Sequence, residues 1–155
     1  MIRILYHVLF ILIVLTGPSF GQDPGIRRLG DELLNAKSVS VRRKAAQGLG
    51  RASTSQSVRL LSQSLTSERS IEVRLEIVRT LRTISFQRYP GYRSALFGLG
   101  AAADDANERD ELVRLRATEA LWEAGKKGLL DPVPLLERQL SDRSERIRLA
   151  AVLML

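Results

Sequence analysis

The sequence predicts an all-α protein: an α-solenoid of about four antiparallel helix pairs that follows an N-terminal signal peptide. Two observations support this, a short apolar segment at the start and one amphipathic pattern that occurs four times after it. A third observation restricts the function, because the 155 residues include no Cys and a single His. The chain is 45% hydrophobic and 26% charged, which is typical of a folded protein rather than a disordered one.

Residues 1–21 are predicted to be a signal peptide. Arg3 provides the positive charge at its start, and the nearly uninterrupted apolar run at 4–15 follows. This run is shorter than the roughly 20 residues that span a bilayer and fits the apolar part of a signal peptide. Ser19 and Gly21 form the small-residue pattern of a cleavage site, so we expect a secreted or periplasmic protein that begins at Gln22 and has no stable transmembrane anchor. The alternative is an uncleaved segment that anchors the chain to the membrane.

Four segments of the remaining chain, residues 22–155, share one pattern. Each opens with Val-Arg or Ile-Arg, has a small or aliphatic residue four positions later, and has Leu eight positions later. Positions four and eight residues apart lie on one face of an α-helix, so each segment is predicted to be an amphipathic helix with that face buried. The four segments begin at Val41, Val73, Val113 and Ile147.

Another apolar pattern, with spacing i, i+3, i+7, precedes each of these helices. It begins at Ile26, Val58 and Val133, and in a weaker form at Leu96. The chain therefore divides into units of two helices that bury their apolar faces against neighbouring units. The predicted units are 26–52, 56–84, 92–125 and 131–155.

The last unit ends in seven consecutive apolar residues, 149–155. A helix that is apolar on every side needs cover on more than one side. We therefore expect either that this unit is incomplete or that its last helix is covered by self-association or by a partner.

The repeated unit resembles the HEAT repeat, in its short bacterial form. Val41, Arg42, Ala45, Leu49 and Gly50 form the best copy, and the resemblance covers roughly 26–155. It implies a right-handed superhelix in which the second helices of the pairs line a concave face that binds partners. It does not identify the partner, because a fold alone does not specify a function.

An Arg follows the first residue of every second helix, at Arg42, Arg74, Arg114 and Arg148. The resemblance implies that this Arg pairs with a loop carboxylate of a neighbouring unit. Asp110, Asp142 and Glu145 are the candidate partners. A row of ligand-binding Arg side chains is the alternative.

Candidate partner-binding residues lie on the outward ridge of the second helices, which changes from basic to mixed acidic along the chain. Trp122 is the only Trp, and an aromatic side chain beside charges is a common recognition anchor. A role in packing is the alternative for this residue. The candidates are Arg43, Lys44, Gln47, Arg79, Arg82 and Trp122.

The composition excludes most catalytic and metal-binding chemistry from the mature chain. The single His7 lies in the predicted signal peptide, so nucleophiles that depend on Cys or His and His-rich zinc sites are ruled out. We therefore expect no catalytic residue, cofactor or metal, and a non-catalytic interaction or scaffold module.

The mature chain would carry 23 basic and 17 acidic residues, a net charge of +6 that favours another protein or an acidic envelope polymer as the partner. Export argues against nucleic acid as that partner. The alternative is a HEAT-like enzyme or nucleic-acid-binding protein, similar to the DNA glycosylases or phycobilin lyases of this fold, with a basic concave face.

Overall fold

The computed structural model of this protein describes residues 23–155, and in them the chain forms eight α-helices and no strand. An all-α fold is therefore confirmed. The helices are α1 Pro24–Asn35, α2 Val39–Ala52, α3 Ser55–Ser67, α4 Ile71–Phe86, α5 Tyr92–Ala103, α6 Glu111–Lys126, α7 Val133–Gln139 and α8 Glu145–Met154.

The predicted signal peptide lies outside the described residues. Among residues 23–155, no helix combines the length and the apolar character needed to cross a bilayer.

The helices stack as consecutive pairs in two layers. In one layer α2 packs on α4, α4 on α6 and α6 on α8, while in the other α1 packs on α3 and α3 on α5. Within the part of the chain that the structure describes, extensive helix contacts occur only inside a pair or between adjacent pairs. This is the α-solenoid of helix pairs that the sequence predicts.

The core lies between the two layers and contains most of the repeated positions of the second helices, although Val41, which opens the first segment, is 39% exposed and is not part of the core. At the eighth position of the pattern, Leu49 and Leu81 are 0% exposed and Leu121 is 4% exposed. Leu155, which directly follows α8, occupies the same position of the pattern and is 58% exposed. Burying a Leu side chain contributes about 1.5–3 kcal/mol, so α8 gains less from this position than the other second helices do.

In all four segments a Ser or Asp stands three residues before the repeated Val or Ile, and this spacing predicts it as the N-cap, because its side-chain oxygen can accept the first free backbone N–H groups. These four residues are the N-caps of the second helices. The Asp110 carboxylate accepts a hydrogen bond from the Val113 N–H at 3.1 Å, as a capping side chain should. Ser38, Ser70 and Ser144 make no such side-chain bond, so a capping role for these hydroxyls is wrong.

An acid two residues earlier fixes the backbone at two of these positions instead. Glu68 Oε1 accepts the N–H of Ser70 at 2.7 Å, and Asp142 Oδ1 accepts the N–H of Ser144 at 2.7 Å. The carboxylates are thereby held in a defined orientation at the start of α4 and α8.

Candidate binding surface on the second helices

The outward side chains of α2, α4 and α6 form a surface that we call the ridge surface. It carries the predicted binding residues, of which Arg43, Lys44, Arg79 and Arg82 are exposed. Gln47, on the same surface, is half-buried. Two grooves run along it, one at each side of α4.

The first groove lies between α2 and α4 and has a volume of about 410 Å³. Gln47 and Arg51 line it from α2, and Glu76 and Arg79 line it from α4. Tyr89, from the turn after α4, lines it as well. Helical periodicity could not place Tyr89 here, because the path of this turn depends on the left-handed backbone of Arg88, with φ 52°.

The second groove lies between α4 and α6 and has a volume of about 470 Å³. Apolar side chains and charged ones line it together, and Arg79 is shared with the first groove. The apolar residues are Leu75, Val78 and Ala120, and the charged ones are Arg79, Arg82, Arg116, Glu119 and Glu123. The second groove can therefore receive an apolar group surrounded by charge.

Several arginines of the ridge surface already have a carboxylate partner. Arg82 Nη2 lies 2.5 Å from Glu123 Oε2 across the second groove. Arg43 Nη1 lies 3.7 Å from Glu72 Oε2, and Arg43 Nη2 lies 3.9 Å from Glu76 Oε2. These cations are partly neutralised before any ligand arrives.

Three other cations of the ridge surface are not neutralised in this way. Lys44, Arg51 and Arg79 are exposed, and no carboxylate of residues 23–155 lies within 4.0 Å of them. Arg51 and Arg79 line the first groove from adjacent helices. Positive charge is therefore available to a ligand at this groove.

Trp122 makes a packing contact with the last helix. Its Nε1–H donates to the carbonyl oxygen of Met154 at 3.1 Å, and Lys126 Nζ lies 4.3 Å from the centre of its ring. Gly50 occupies the equivalent position of α2, where an added Cβ would lie 2.4 Å from Thr80 Cγ2. The half-buried indole thus packs against α8, which agrees with the alternative role of Trp122 in packing. Its single hydrogen-bond donor, Nε1–H, is already bonded to the Met154 carbonyl.

The Arg of the Val-Arg pattern forms a ladder between neighbouring helix pairs. The Arg114 side chain is 1% exposed, and its Nε and Nη2 donate to the two carboxylate oxygens of Asp142 at 3.0 and 2.9 Å. Its Nη1 donates to the carbonyls of Glu108 and Arg109, both at 3.0 Å. One guanidinium therefore joins its own loop to the loop of the next pair.

Two further rungs occupy equivalent positions, and the rung at Arg42 repeats both side-chain hydrogen bonds, whereas Arg74 has an ion pair without a hydrogen bond from its Nε. Arg42 Nε donates to Glu68 Oε2 at 2.6 Å, and Arg74 Nε forms an ion pair with Glu108 Oε2 at 2.9 Å. Burial alone would raise the pKa of the Glu68 carboxyl, but the hydrogen bonds from Arg42 and from the Ser70 backbone hold that pKa below its usual value. The carboxylate form is thus the one that these contacts stabilise.

Of the predicted acidic partners, Asp142 is confirmed, whereas Asp110 and Glu145 are wrong. Asp110 caps α6, and Glu145 is an exposed residue in the first turn of α8. The acid of each rung stands two residues before the N-cap, at Glu68, Glu108 and Asp142. Sequence reasoning missed this column, although its constant spacing from the repeated Arg was visible.

The ladder arginines join helix pairs and are not arranged as a ligand-binding row. In residues 23–155 no group of three or more His, Cys, Asp or Glu side chains could hold a metal ion. The ridge surface itself presents charged groups, hydrogen-bonding groups and apolar side chains.

Comparison with known families agrees with this architecture. The model of the family described as HEAT repeats matches residues 26–110. No curated protein and no solved structure matches the chain. The matched segment includes nearly all of α1 and the whole of α2 to α5, and it is more than half of the 155 residues. The chain therefore belongs to the HEAT-repeat family.

Proposed function

We propose that this protein is a non-catalytic interaction module that binds an acidic segment of another protein across the ridge surface. HEAT repeats generally mediate protein interactions, and the family is typically non-catalytic. The observation that carries the proposal is the pair of unneutralised guanidiniums in the first groove. Arg51 and Arg79 line that groove from two adjacent helices, whereas Arg43 and Arg82 beside them are held by carboxylates.

The chemistry of the two grooves defines the ligand. A guanidinium presents a planar set of donors that matches a carboxylate, so Arg51 and Arg79 favour acidic side chains. Gln47 adds a group that can bond the backbone of an extended peptide. Leu75, the half-buried apolar residue of the second groove, can contact an apolar side chain next to the acids. We infer a ligand segment in which acidic residues flank an apolar one.

Reversing the charge of the first groove should abolish most of this binding. The probe is a fluorescently labelled oligo-glutamate peptide with one central Leu, titrated by fluorescence anisotropy. Arg51→Glu combined with Arg79→Glu should weaken binding by at least about tenfold, because both carboxylate contacts become repulsive. The helical circular dichroism signal should not change, since neither side chain is buried.

The matched control is Arg27→Glu combined with Arg59→Glu. Both residues are exposed on first helices, α1 and α3, and the change in net charge is the same. Equal weakening by the two double variants would show general electrostatic attraction and would contradict binding at the groove. Tighter binding of double-stranded DNA than of the peptide, lost in the first variant alone, would favour the nucleic-acid alternative. Tighter binding of an acidic envelope polymer than of the peptide, lost in the first variant alone, would favour such a polymer as the ligand.

We further propose that the protein acts outside the cytoplasm, in the envelope or beyond it. Arg3, the apolar run at 4–15 and the small residues Ser19 and Gly21 support this. Protein purified from its native host should begin at or near Gln22 when its N-terminus is sequenced. An intact Met1 on protein in the cytoplasmic fraction would contradict export, and an intact Met1 in the membrane fraction would favour the anchored alternative.

A further inference from the structure

The ion pair of Arg82 and Glu123 crosses the second groove and joins α4 to α6, which belong to adjacent helix pairs. It differs in burial from the ladder, whose three acids Glu68, Glu108 and Asp142 have almost completely buried side chains. The Arg82 and Glu123 side chains are 44% and 38% exposed. Glu123 can therefore leave Arg82 for solvent without leaving a buried charge unpaired, which no ladder acid can do.

The hydrogen bonds of this pair converge on one oxygen. Arg82 Nε and Nη2 both donate to Glu123 Oε2, at 2.9 and 2.5 Å. In the ladder the same two nitrogens of Arg114 donate to different oxygens of Asp142, Oδ2 and Oδ1. Two parallel bonds between a guanidinium and a carboxylate are the more favourable arrangement. A carboxylate that approaches Arg82 with both oxygens would therefore bind it better than Glu123 does in this structure.

Arg82 has support that does not depend on Glu123. Its guanidinium carbon lies 4.8 Å from the centre of the Phe86 ring, a distance at which a cation and an aromatic face attract each other. Lys127 Nζ lies 4.3 Å from the centre of the same ring, and no carboxylate of residues 23–155 lies within 4.0 Å of it. Lys127 follows Glu123 by four residues, the spacing at which Glu and Lys pair along a helix. A displaced Glu123 thus has a second cation within reach.

We propose that Arg82 is a second carboxylate site of the ridge surface, which Glu123 occupies in the free protein and an acidic side chain of the ligand occupies in the complex. This inference rests on the proposed function, in which acids of the ligand flank an apolar residue. One acid binds Arg51 and Arg79 in the first groove, and the other replaces Glu123 at Arg82, one helical turn after Arg79 on α4. Glu123 thereby selects ligands with two acids, because a ligand with one acid leaves the pair of Arg82 and Glu123 intact.

The strength of this pair sets the size of the expected effect. An ion pair between exposed side chains contributes little to stability, and the ligand must break it before its own carboxylate can bind Arg82. Removing the competing carboxylate should therefore tighten binding by about two- to fivefold.

Glu123→Gln tests the site, because it removes the charge of the competing side chain and keeps its size. Affinity for the labelled oligo-glutamate peptide with one central Leu is measured by fluorescence anisotropy for the original chain, Glu123→Gln, Arg82→Gln and both together. Glu123→Gln should tighten binding about two- to fivefold, and Arg82→Gln should weaken it. In the Arg82→Gln background the gain from Glu123→Gln should be lost, because no cation remains to be released.

The matched control is Glu119→Gln. Glu119 lines the same groove and the change in net charge is the same, but its carboxylate pairs with Arg116 of its own helix at 2.8 Å. Its gain measures the general electrostatic effect and should be clearly smaller than that of Glu123→Gln. Equal gains in the two variants, no gain in Glu123→Gln, or a gain above that of the control that persists after Arg82→Gln would overturn the inference.

The charge reversal of the first groove separates this inference from the proposed function. If Arg51→Glu with Arg79→Glu weakens binding while Arg82 and Glu123 show no coupling, the second site alone is overturned. If that double variant binds the peptide as the original chain does, the proposed function is overturned and this inference with it.

Discussion

Replacing Asp142 by Ala should destabilise the fold by about 3–5 kcal/mol, because it leaves a buried guanidinium without its counter-ion. The Arg114 and Asp142 side chains are 1% and 2% exposed, and two hydrogen bonds join them. The substitution also removes the acceptor of the Ser144 N–H at the start of α8. The junction between the third and fourth helix pairs should therefore lose both its ion pair and an orienting contact.

The matched control is Glu123→Ala, which removes a more exposed ion pair, in which Arg82 Nε and Nη2 both donate to Glu123 Oε2. The Arg82 and Glu123 side chains are 44% and 38% exposed, so this loss should cost only about 0–1 kcal/mol. Urea unfolding of both variants, monitored by circular dichroism, measures the difference. Arg114→Leu combined with Asp142→Leu should be less damaging than Asp142→Ala, because no buried charge is left. Equal losses in Asp142→Ala and Glu123→Ala would show that burial does not strengthen the rung.

Leu81→Ala should cost about 2–5 kcal/mol, since it opens a cavity in the middle of the array. Leu81 is 0% exposed, and its helix, α4, packs against α2, α5 and α6. The remaining side chains cannot easily close a cavity that several helices surround.

Leu155→Ala changes the same position of the repeat pattern. Because the Leu155 side chain is 58% exposed, this substitution should cost less than about 1 kcal/mol of stability. Thermal and urea unfolding of both variants provide the comparison. A loss at Leu155 as large as that at Leu81 would show that α8 is covered in solution.

The helix pairs could be predicted because each depends on a local pattern. Positions four and eight residues apart fall on one helical face, and Leu49, Leu81 and Leu121 are buried for that reason. Asp110 marks the start of α6 in the same local way, because the first turn of a helix needs acceptors from outside the helix.

The partners of the ladder and of Trp122 could not be assigned in the same way. Arg42 and Glu68 are 26 residues apart, and Trp122 and Met154 are 32 apart, so these contacts depend on how the pairs stack. Helical periodicity also places Arg51 and Arg79 on one surface without showing that both lack a carboxylate. That distinction depends on which acids reach across the grooves, as Glu123 does to Arg82.

The nearest-neighbour packing of the pairs determines how the array responds to force. In residues 23–155 each helix pair makes extensive contacts only with the adjacent pairs. The curvature of the array is therefore the sum of the separate rotations at its junctions. A small rotation at one junction therefore displaces the far end of the array. The strain of adapting to a bound partner is then distributed over the junctions, so the array can bend without a single hinge.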